Sequence, residues 1–290
     1  MSHPRLDTLF ELEKIEKDLY RGNSWDLGFR ALYGGQVLGQ SVMAAYKSVP
    51  DNRVIHSFHS YFLLPGDASK PVVYEVEIVR DGRSFSARRV RAVQNGRAIF
   101  YMTASFQLLE EGLNHQYAEM PDVPDPDSVE KDIQFYDDNM DKISERTRKA
   151  LPFHRPVDIR TIDGAHSFKA QKRDPKRKLW MKGRDEISSH VAVNQAALAY
   201  ASDYHFLSTA VQAHGLAVQD KTLRLATIDH AMWFHHSFKF DDWLLYEMES
   251  PFSGNGRALV QGKIYNKDGL LVASSVQEGL LRQIKEEQVP

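Results

Sequence analysis

The chain has 290 residues, of which 42% are hydrophobic and 26% are charged, so it can bury one large core or two medium ones. Its 37 basic and 39 acidic residues are well mixed and leave a formal net charge of −2, which excludes a global field that attracts nucleic acid or acidic membranes. The absence of cysteine excludes disulfides and thiolate chemistry. Any ester or thioester cleavage must therefore use carboxylate, hydroxyl, imidazole or water.

The N-terminal segment does not have the pattern of a targeting signal. The first twenty residues carry charges every few positions and contain no apolar stretch of signal-peptide length. No window approaches the length and hydrophobicity of a membrane span, and the final residues, EEQVP, are not an organelle address of the Ser-Lys-Leu type. We therefore expect a soluble cytoplasmic protein without membrane insertion.

The first part of the chain predicts one helix followed by a long antiparallel sheet. Residues 34–49 are rich in Gly and Ala, and the apolar or alternating runs that follow have the length of strands. The Asn95-Gly96 pair between two such runs is a hairpin signal. Because small residues permit close approach, we expect this helix to pack directly on a curved sheet.

Residues 110–170 differ in composition from the segments on either side. They contain several prolines and aspartates, then a helical pattern over residues 127–151, and they predict a linker. The predicted organisation is an N-terminal repeat over 1–109, a linker over 110–170 and a C-terminal repeat over 171–290.

The C-terminal part repeats the pattern of the N-terminal part. Residues 189–203 form a second Ala-rich helix, and LLYEME at 244–249 matches VVYEVE at 72–77. Residues 227–234 match residues 56–63 in a register that aligns His230 with His59. Residues 205–220 are an extra loop in the second repeat only, and loops of that length usually serve a site.

Asp203 is the first candidate for chemistry, because it ends the second helix on a face otherwise made of alanine. Ala192, Ala196 and Ala199 precede it at helical spacing, and we expect this face to lie against the sheet. Partial desolvation there would raise the basicity of the carboxylate. The alternative from the sequence alone is an Asp that faces solvent or caps the following loop.

Gln277 and Thr227 complete a polar set that is present in one repeat only. Gln277 alternates with small or apolar residues on one strand face, and Thr227 opens the strand 227–234. The repeat aligns Asp203 with Val49, Gln277 with Ala104 and Thr227 with His56, which predicts one active half. A carboxylate base, a hydroxyl and an amide placed around one water molecule are sufficient for that water to attack a thioester without a covalent intermediate.

Several segments, in order along nearly the whole chain, resemble the acyl-CoA thioesterase II family. They include GGQVLGQ, HSFHSYFLLPGD, RDGRSFSARRV, LAYASDYHFL, ATIDHAMWFH and ASSVQEG. The resemblance implies an α+β double-hotdog fold of two repeats, each with a helix packed on a long curved antiparallel sheet. It implies hydrolysis of medium- and long-chain acyl-CoA to fatty acid and CoA, without a cofactor. Carried over by motif, the residues that hold the nucleophilic water are Asp203 in LAYASD, Thr227 in ATIDH and Gln277 in SSVQEG.

Six other residues are candidates for substrate binding. The glycines can offer backbone N–H groups to an acyl carbonyl or a phosphate, the histidine can line the cleft, and the arginines can bind CoA phosphates. The competing interpretations are a tight helix entry for the glycines, a core or interface position for the histidine and a solvated strand face for the arginines. The six are Gly34, Gly35, His56, Arg83, Arg88 and Arg89.

Two further questions concern metals and competing functions. His230 and His236 face one side of a strand and His235 the other, with no carboxylate pair to complete a shell, so no metal is expected. The competing functions are a hotdog enoyl-CoA hydratase and a non-catalytic acyl-CoA binding module. We also expect a homodimer or homotetramer.

Overall fold

The computed structural model describes residues 5–138, 145, 148, 156–164 and 170–285. The helices in this part of the chain are α1 (Leu6–Leu9), α2 (Gly34–Tyr46), α3 (Asp132–Asp138), α4 (Val191–Ala201) and α5 (Phe206–Val211). The strands of the first half are β1 (Glu13–Glu16), β2 (Leu19–Gly22), β3 (Val54–Phe62), β4 (Val72–Asp81), β5 (Phe85–Gln94) and β6 (Arg97–Gln107). The remaining strands are β7 (Val157–Thr161), β8 (Lys176–Gly183), β9 (Leu223–Thr227), β10 (Asp229–Phe234), β11 (Leu244–Gly254), β12 (Arg257–Asn266) and β13 (Leu271–Gln283).

The described strands form one continuous antiparallel sheet that joins the two halves. The order is β1-β2-β4-β5-β6-β3-β10-β13-β12-β11-β8-β7, and β9 pairs with β13 outside this path. The pairing of β3 with β10 connects the halves at the centre. This architecture agrees with the predicted pair of sheet-and-helix repeats.

Two of the hairpins show directly how the sequence determines the turns. Asn95 and Gly96 connect β5 to β6 with φ values of 51° and 71°, and Asn255 and Gly256 connect β11 to β12 with φ values of 52° and 73°. Positive φ at two successive residues is the conformation that a two-residue hairpin needs, and Asn-Gly adopts it at low cost. The Asn95-Gly96 hairpin was predicted from the sequence.

The centre of the sheet defines an approximate twofold axis, and its register corrects one sequence prediction. Phe58 and His230 are both fully buried, and aligning them places Gln277 on Ala104 through the pairings of β6 and β13 with the central strands. Phe58 therefore corresponds to His230, and His59 corresponds to Ala231, its partner in the central ladder. The predicted alignment of His59 with His230 is wrong by one residue, because it equates an exposed side chain with a fully buried one.

The same register changes the counterpart of one candidate site residue. Thr227 corresponds to Ile55. His56 corresponds to Ile228, which lies between the end of β9 and the start of β10. The predicted correspondence of Gln277 with Ala104 is retained by the pairing of β13 and β6 with the two central strands. Thr227 and Gln277 of the second half thus correspond to apolar residues in the first half.

The two small-residue helices pack on each other, which the sequence did not predict. A Cβ added at Gly35 would lie 2.1 Å from the Tyr200 carbonyl oxygen, and one at Gly39 would lie 2.9 Å from the Ala196 carbonyl oxygen. These contacts place α2 and α4 antiparallel at a distance that only glycine allows. The alanine face of α4 was expected to lie against the sheet, but small residues there also serve this contact between the halves.

Residues 110–170 and 205–220 contain regular structure. Strand β7 lies within the predicted linker and pairs with β8, and α3 covers part of the helical pattern predicted for residues 127–151. Most of the remainder of that pattern, at 139–151, lies outside the described residues. The segment 205–220 was expected to be a loop, but it contains α5 and a 3-10 turn. No helix in the described ranges is both long and apolar enough to cross a membrane.

Candidate active site

Asp203 lies in a tight turn between α4 and α5. Helix α4 ends at Ala201, and His205 then adopts a left-handed conformation with φ of 61° before α5 begins. A non-glycine residue in this region is held by its surroundings, here by contacts of the His205 ring with Arg177 and Asp132. The turn directs the Asp203 carboxylate toward the N-terminus of α2.

Both halves contribute to the surroundings of the Asp203 carboxylate. The backbone N–H of Gly35 donates to Oδ2 at 3.0 Å, and the Thr227 hydroxyl donates to Oδ1 at 3.4 Å. A Cβ added at Gly34 would lie 2.8 Å from Oδ2. The predicted glycines therefore lie at the site, where the positive end of the α2 dipole favours negative charge.

Thr227 and Gln277 are brought together because β13 pairs first with β10 and then with β9, and Gln277 lies between the two pairings. Thr227 is the last residue of β9, whereas the sequence predicted that it opens the following strand. Gln277 is 1% exposed, and its Nε2 donates to the Thr227 hydroxyl at 2.8 Å. The three residues predicted from the sequence thus form one hydrogen-bonded group with Asp203 at its end.

His230 extends this group on the side away from Asp203. Its Nδ1 lies 2.8 Å from Gln277 Oε1, and its Nε2 lies 3.0 Å from the Ser202 hydroxyl. The ring is fully buried and packs against Phe58 and Phe206. Burial lowers the pKa of His230 to about 4, so the ring is neutral at physiological pH.

A cluster of tyrosines, here called the tyrosine shell, lies near the carboxylate where α2 meets α4. The ring centroid of Tyr33 lies 4.9 Å from that of Tyr204 and 5.2 Å from that of Tyr200, and Tyr33 donates to the Tyr200 carbonyl. Burial raises the pKa of Asp203 to about 7, and the donors from Gly35, Gln277 and Thr227 act in the opposite direction. A carboxylate with this pKa can take a proton from water near neutral pH.

In the first half, Arg88 contacts the serine that the repeat aligns with Ser202. Its guanidinium contacts Ser48 through Nε at 2.9 Å, just as His230 contacts Ser202 in the second half. Arg88 is 1% exposed and also bonds Asp81. An arginine therefore bonds Ser48 where a histidine contacts Ser202 in the second half.

The structure does not bring the three predicted arginines to Asp203. Arg88 bonds the C-terminal end of α2, about 20 Å along the helix from Gly35, so it is not available to bind a CoA phosphate at the site. Arg89 is exposed and pairs with Glu77 at 2.9 Å. Arg83 is an exposed turn residue whose carbonyl oxygen accepts a hydrogen bond from the Arg53 guanidinium.

His56 also lies away from the group. Phe62 on β3 contacts the Gly34 position, and His56 is six residues earlier, about 20 Å along the strand. Its Nε2 lies 2.8 Å from the Ser105 hydroxyl and its ring contacts Phe85. Among the described residues, no group of three or more His, Asp or Glu side chains could hold a metal ion.

Sequence reasoning missed the contributions of His230 and the tyrosine shell to the site. His230 was interpreted only as a rejected metal ligand. The signal that could have found it is the corrected repeat, in which a buried histidine replaces Phe58 directly beside a buried amide. The tyrosines carry no such signal, because they meet only through the antiparallel contact of α2 and α4.

Comparisons with known proteins identify the family of the chain. The family model for "Acyl-CoA thioesterase" matches residues 147–280, and the one for "Acyl-CoA thioesterase N-terminal domain" matches residues 22–107. The chain is 39% identical to acyl-CoA thioesterase 2 of Haemophilus influenzae over 94% of this chain and 96% of that one. It is 37% identical to human acyl-coenzyme A thioesterase 8 over 95% and 88% of the two chains.

Solved structures give the same result. Acyl-CoA thioesterase II TesB2 from Mycobacterium marinum is 36% identical, with a TM-score of 0.79 over 98% of this chain and 99% of that one. A hotdog protein of unknown function from Alicyclobacillus acidocaldarius is 21% identical with a TM-score of 0.77, over 97% and 98% of the two chains, and shows the fold alone. The fold that the chain shares with these structures is that of a double-hotdog protein, as predicted. The chain belongs to the acyl-CoA thioesterase family.

Proposed function

We propose that the chain hydrolyses acyl-CoA thioesters of medium and long acyl chains to free fatty acid and CoA, with Asp203 as the general base. The observation that carries this proposal is the Asp203 carboxylate, whose pKa is raised to about 7 and which receives donors from both halves. Near neutral pH such a group is partly ionised and basic enough to accept a proton from water.

The proposed reaction begins with a water molecule held beside Asp203 and Thr227. Asp203 removes a proton while the water oxygen attacks the thioester carbonyl carbon and the carbonyl π electrons move to oxygen. The tetrahedral intermediate then collapses, the carbon–sulfur bond breaks, and the proton on Asp203 passes to the thiolate of CoA. No covalent intermediate with the enzyme is formed.

The N-terminus of α2 is the proposed site for the oxyanion. The first N–H groups of a helix have no intrahelical acceptor, and the dipole places partial positive charge there. Gly34 begins α2 next to the carboxylate, and the absence of a side chain leaves its backbone accessible to an acyl carbonyl. Donors of this kind contribute about 3 to 4 kcal/mol to the transition state.

The direct test is thiol release from decanoyl-CoA and hexadecanoyl-CoA. We expect one CoA thiol and one fatty acid per thioester consumed. In ¹⁸O-labelled water, a single turnover by excess enzyme should give labelled fatty acid, since the water oxygen enters the acyl carbon directly. Loss of enoyl absorbance from an enoyl-CoA without thiol release would instead indicate a hydratase, and tight binding without product would indicate a binding module.

The pH dependence of the reaction should follow the ionisation of Asp203. Because the base must be deprotonated, kcat/KM should be constant above pH 7 and fall about tenfold per pH unit below it. Tyr33, Tyr200 and Tyr246 have pKa values raised by burial and stay protonated, while His230 stays neutral. A rate that stays level from pH 8 to pH 5, with the fold intact by circular dichroism, would contradict the role of Asp203.

A homodimer or homotetramer and a cytoplasmic location remain predictions from the sequence. Sedimentation of the purified chain tests the first, and localisation of a tagged full-length chain tests the second.

A further inference from the structure

The carboxamide of Gln277 can adopt two orientations that differ by exchange of its oxygen and nitrogen. In the observed orientation, Nε2 donates to the Thr227 hydroxyl at 2.8 Å, and Oε1 lies 2.8 Å from His230 Nδ1. Because Thr227 accepts from the amide, its own hydroxyl proton is available for Asp203, 3.4 Å away. The reversed amide would accept that proton and remove it from the carboxylate.

The neutral His230 ring can select the orientation through its tautomer. An amide oxygen is only an acceptor, so the nitrogen 2.8 Å from it must be the one that carries the ring proton. Nε2 is then an acceptor beside the Ser202 hydroxyl at 3.0 Å. The Ser202 hydroxyl oxygen also lies 2.9 Å from the Ala199 carbonyl oxygen, and in this tautomer its one proton is donated to Nε2 in place of that carbonyl.

We infer that His230 is a positioning residue for hydrolysis: its Nδ1–H holds the Gln277 amide so that Thr227 donates to Asp203. The inference rests on the proposed function of Asp203 and adds a residue that orients the groups bonded to its carboxylate. His230 touches neither Asp203 nor a position that substrate can reach, since the ring is fully buried. Its effect passes from His230 to the Gln277 amide, and from that amide to Asp203 both directly and through the Thr227 hydroxyl.

The first half contains the matched alternative to this arrangement. Phe58 occupies the position of His230, and Ala104 occupies the position of Gln277. The histidine and the glutamine are therefore both absent from the half that carries no Asp203 counterpart. A phenylalanine at position 230 is a natural replacement that retains a buried aromatic ring and removes the Nδ1 donor.

The test compares His230→Phe with His230→Asn, whose side-chain nitrogen can take the place of Nδ1. In His230→Phe we expect kcat to fall on the order of 10- to 100-fold with little change in KM, as for loss of a hydrogen bond to a charged group. The acidic limb of the pH profile should move up by about one unit, because the carboxylate loses a donor. His230→Asn should restore most of kcat and return the limb toward its native position.

A double-mutant cycle with Gln277→Ala separates positioning from general damage. In the Gln277→Ala background, His230→Phe should change kcat less than about twofold, because no amide remains to be oriented. If the Phe variant does not fold, His230→Leu supplies the same comparison with a smaller side chain. An unshifted pH limb in a folded variant, or equal losses in both backgrounds, would overturn the inference.

The outcome is distinguishable from failure of the proposed function. If Asp203→Asn hydrolyses decanoyl-CoA at the native rate, the role of Asp203 fails whatever His230 does. If Asp203→Asn is inactive and His230→Phe has the native kcat and pH profile, only the inference about His230 fails.

Discussion

Replacement of Asp203 by asparagine should reduce kcat by about 10²- to 10⁴-fold, the contribution expected of a general base. Asparagine has nearly the same shape, and its oxygen can still accept from the Gly35 N–H, but it cannot take a proton from water. KM for decanoyl-CoA should change little, because the side chain acts on the water. The measurement is steady-state thiol release, with Asp51→Asn as control, since Asp51 is an exposed turn residue beyond the other end of α2.

The same variant should be more stable than the native chain at pH 8. Burial raises the pKa of folded Asp203 to about 7, whereas an unfolded Asp has a pKa of 3.8. The folded state therefore retains a proton that the unfolded state has lost, so native stability falls as pH rises from about 4 to about 7. We expect a gain of about 1 to 2 kcal/mol, limited by the partial accessibility of the carboxylate. Equal stability at pH 8 combined with full activity would contradict both the burial cost and the role of Asp203.

Replacement of Gly35 by alanine should lower both stability and activity. The new Cβ would lie 2.1 Å from the Tyr200 carbonyl oxygen and 2.5 Å from the Tyr33 ring, so α2 and α4 must move apart. We expect a loss of about 2 to 3 kcal/mol in the free energy of unfolding, although alanine is the better helix former by up to about 1 kcal/mol. The measurement is the urea midpoint at constant m-value.

Activity should fall in the same variant because the helix carries a donor to the base. The Gly35 N–H bonds Asp203 at 3.0 Å, and a displacement of the order of 1 Å can cost about 100-fold in rate. Gly112→Ala is the matched control, since nothing lies within 4 Å of a Cβ at that position. A Gly35→Ala protein with native stability and native kcat would show that the close contact of α2 with α4 has no importance for the site.

The repeat was readable from the sequence because strand alternation and hairpin turns are local properties. Asn95-Gly96 marks a hairpin through its own conformational preferences, and the matched YEVE and YEME segments mark equivalent strands. The exact register between the two repeats was harder to read from the sequence. A one-residue shift leaves an alignment looking equally good but moves each side chain to the other face of the sheet, and the shared burial of Phe58 and His230 in the structure resolves it.

The residue types of the proposed site came from the sequence, by repeat asymmetry for Asp203 and Gln277 and by family resemblance for Thr227. Their arrangement came from the tertiary structure, because hydrogen bonds among residues 24 to 50 positions apart depend on how β9, β13 and α4 meet. The same reason separates the fates of Gly35 and Arg88. The sequence made both candidates for substrate binding, and only the packing of α2 shows that Gly35 lies beside the carboxylate and that Arg88 bonds the other end of the helix.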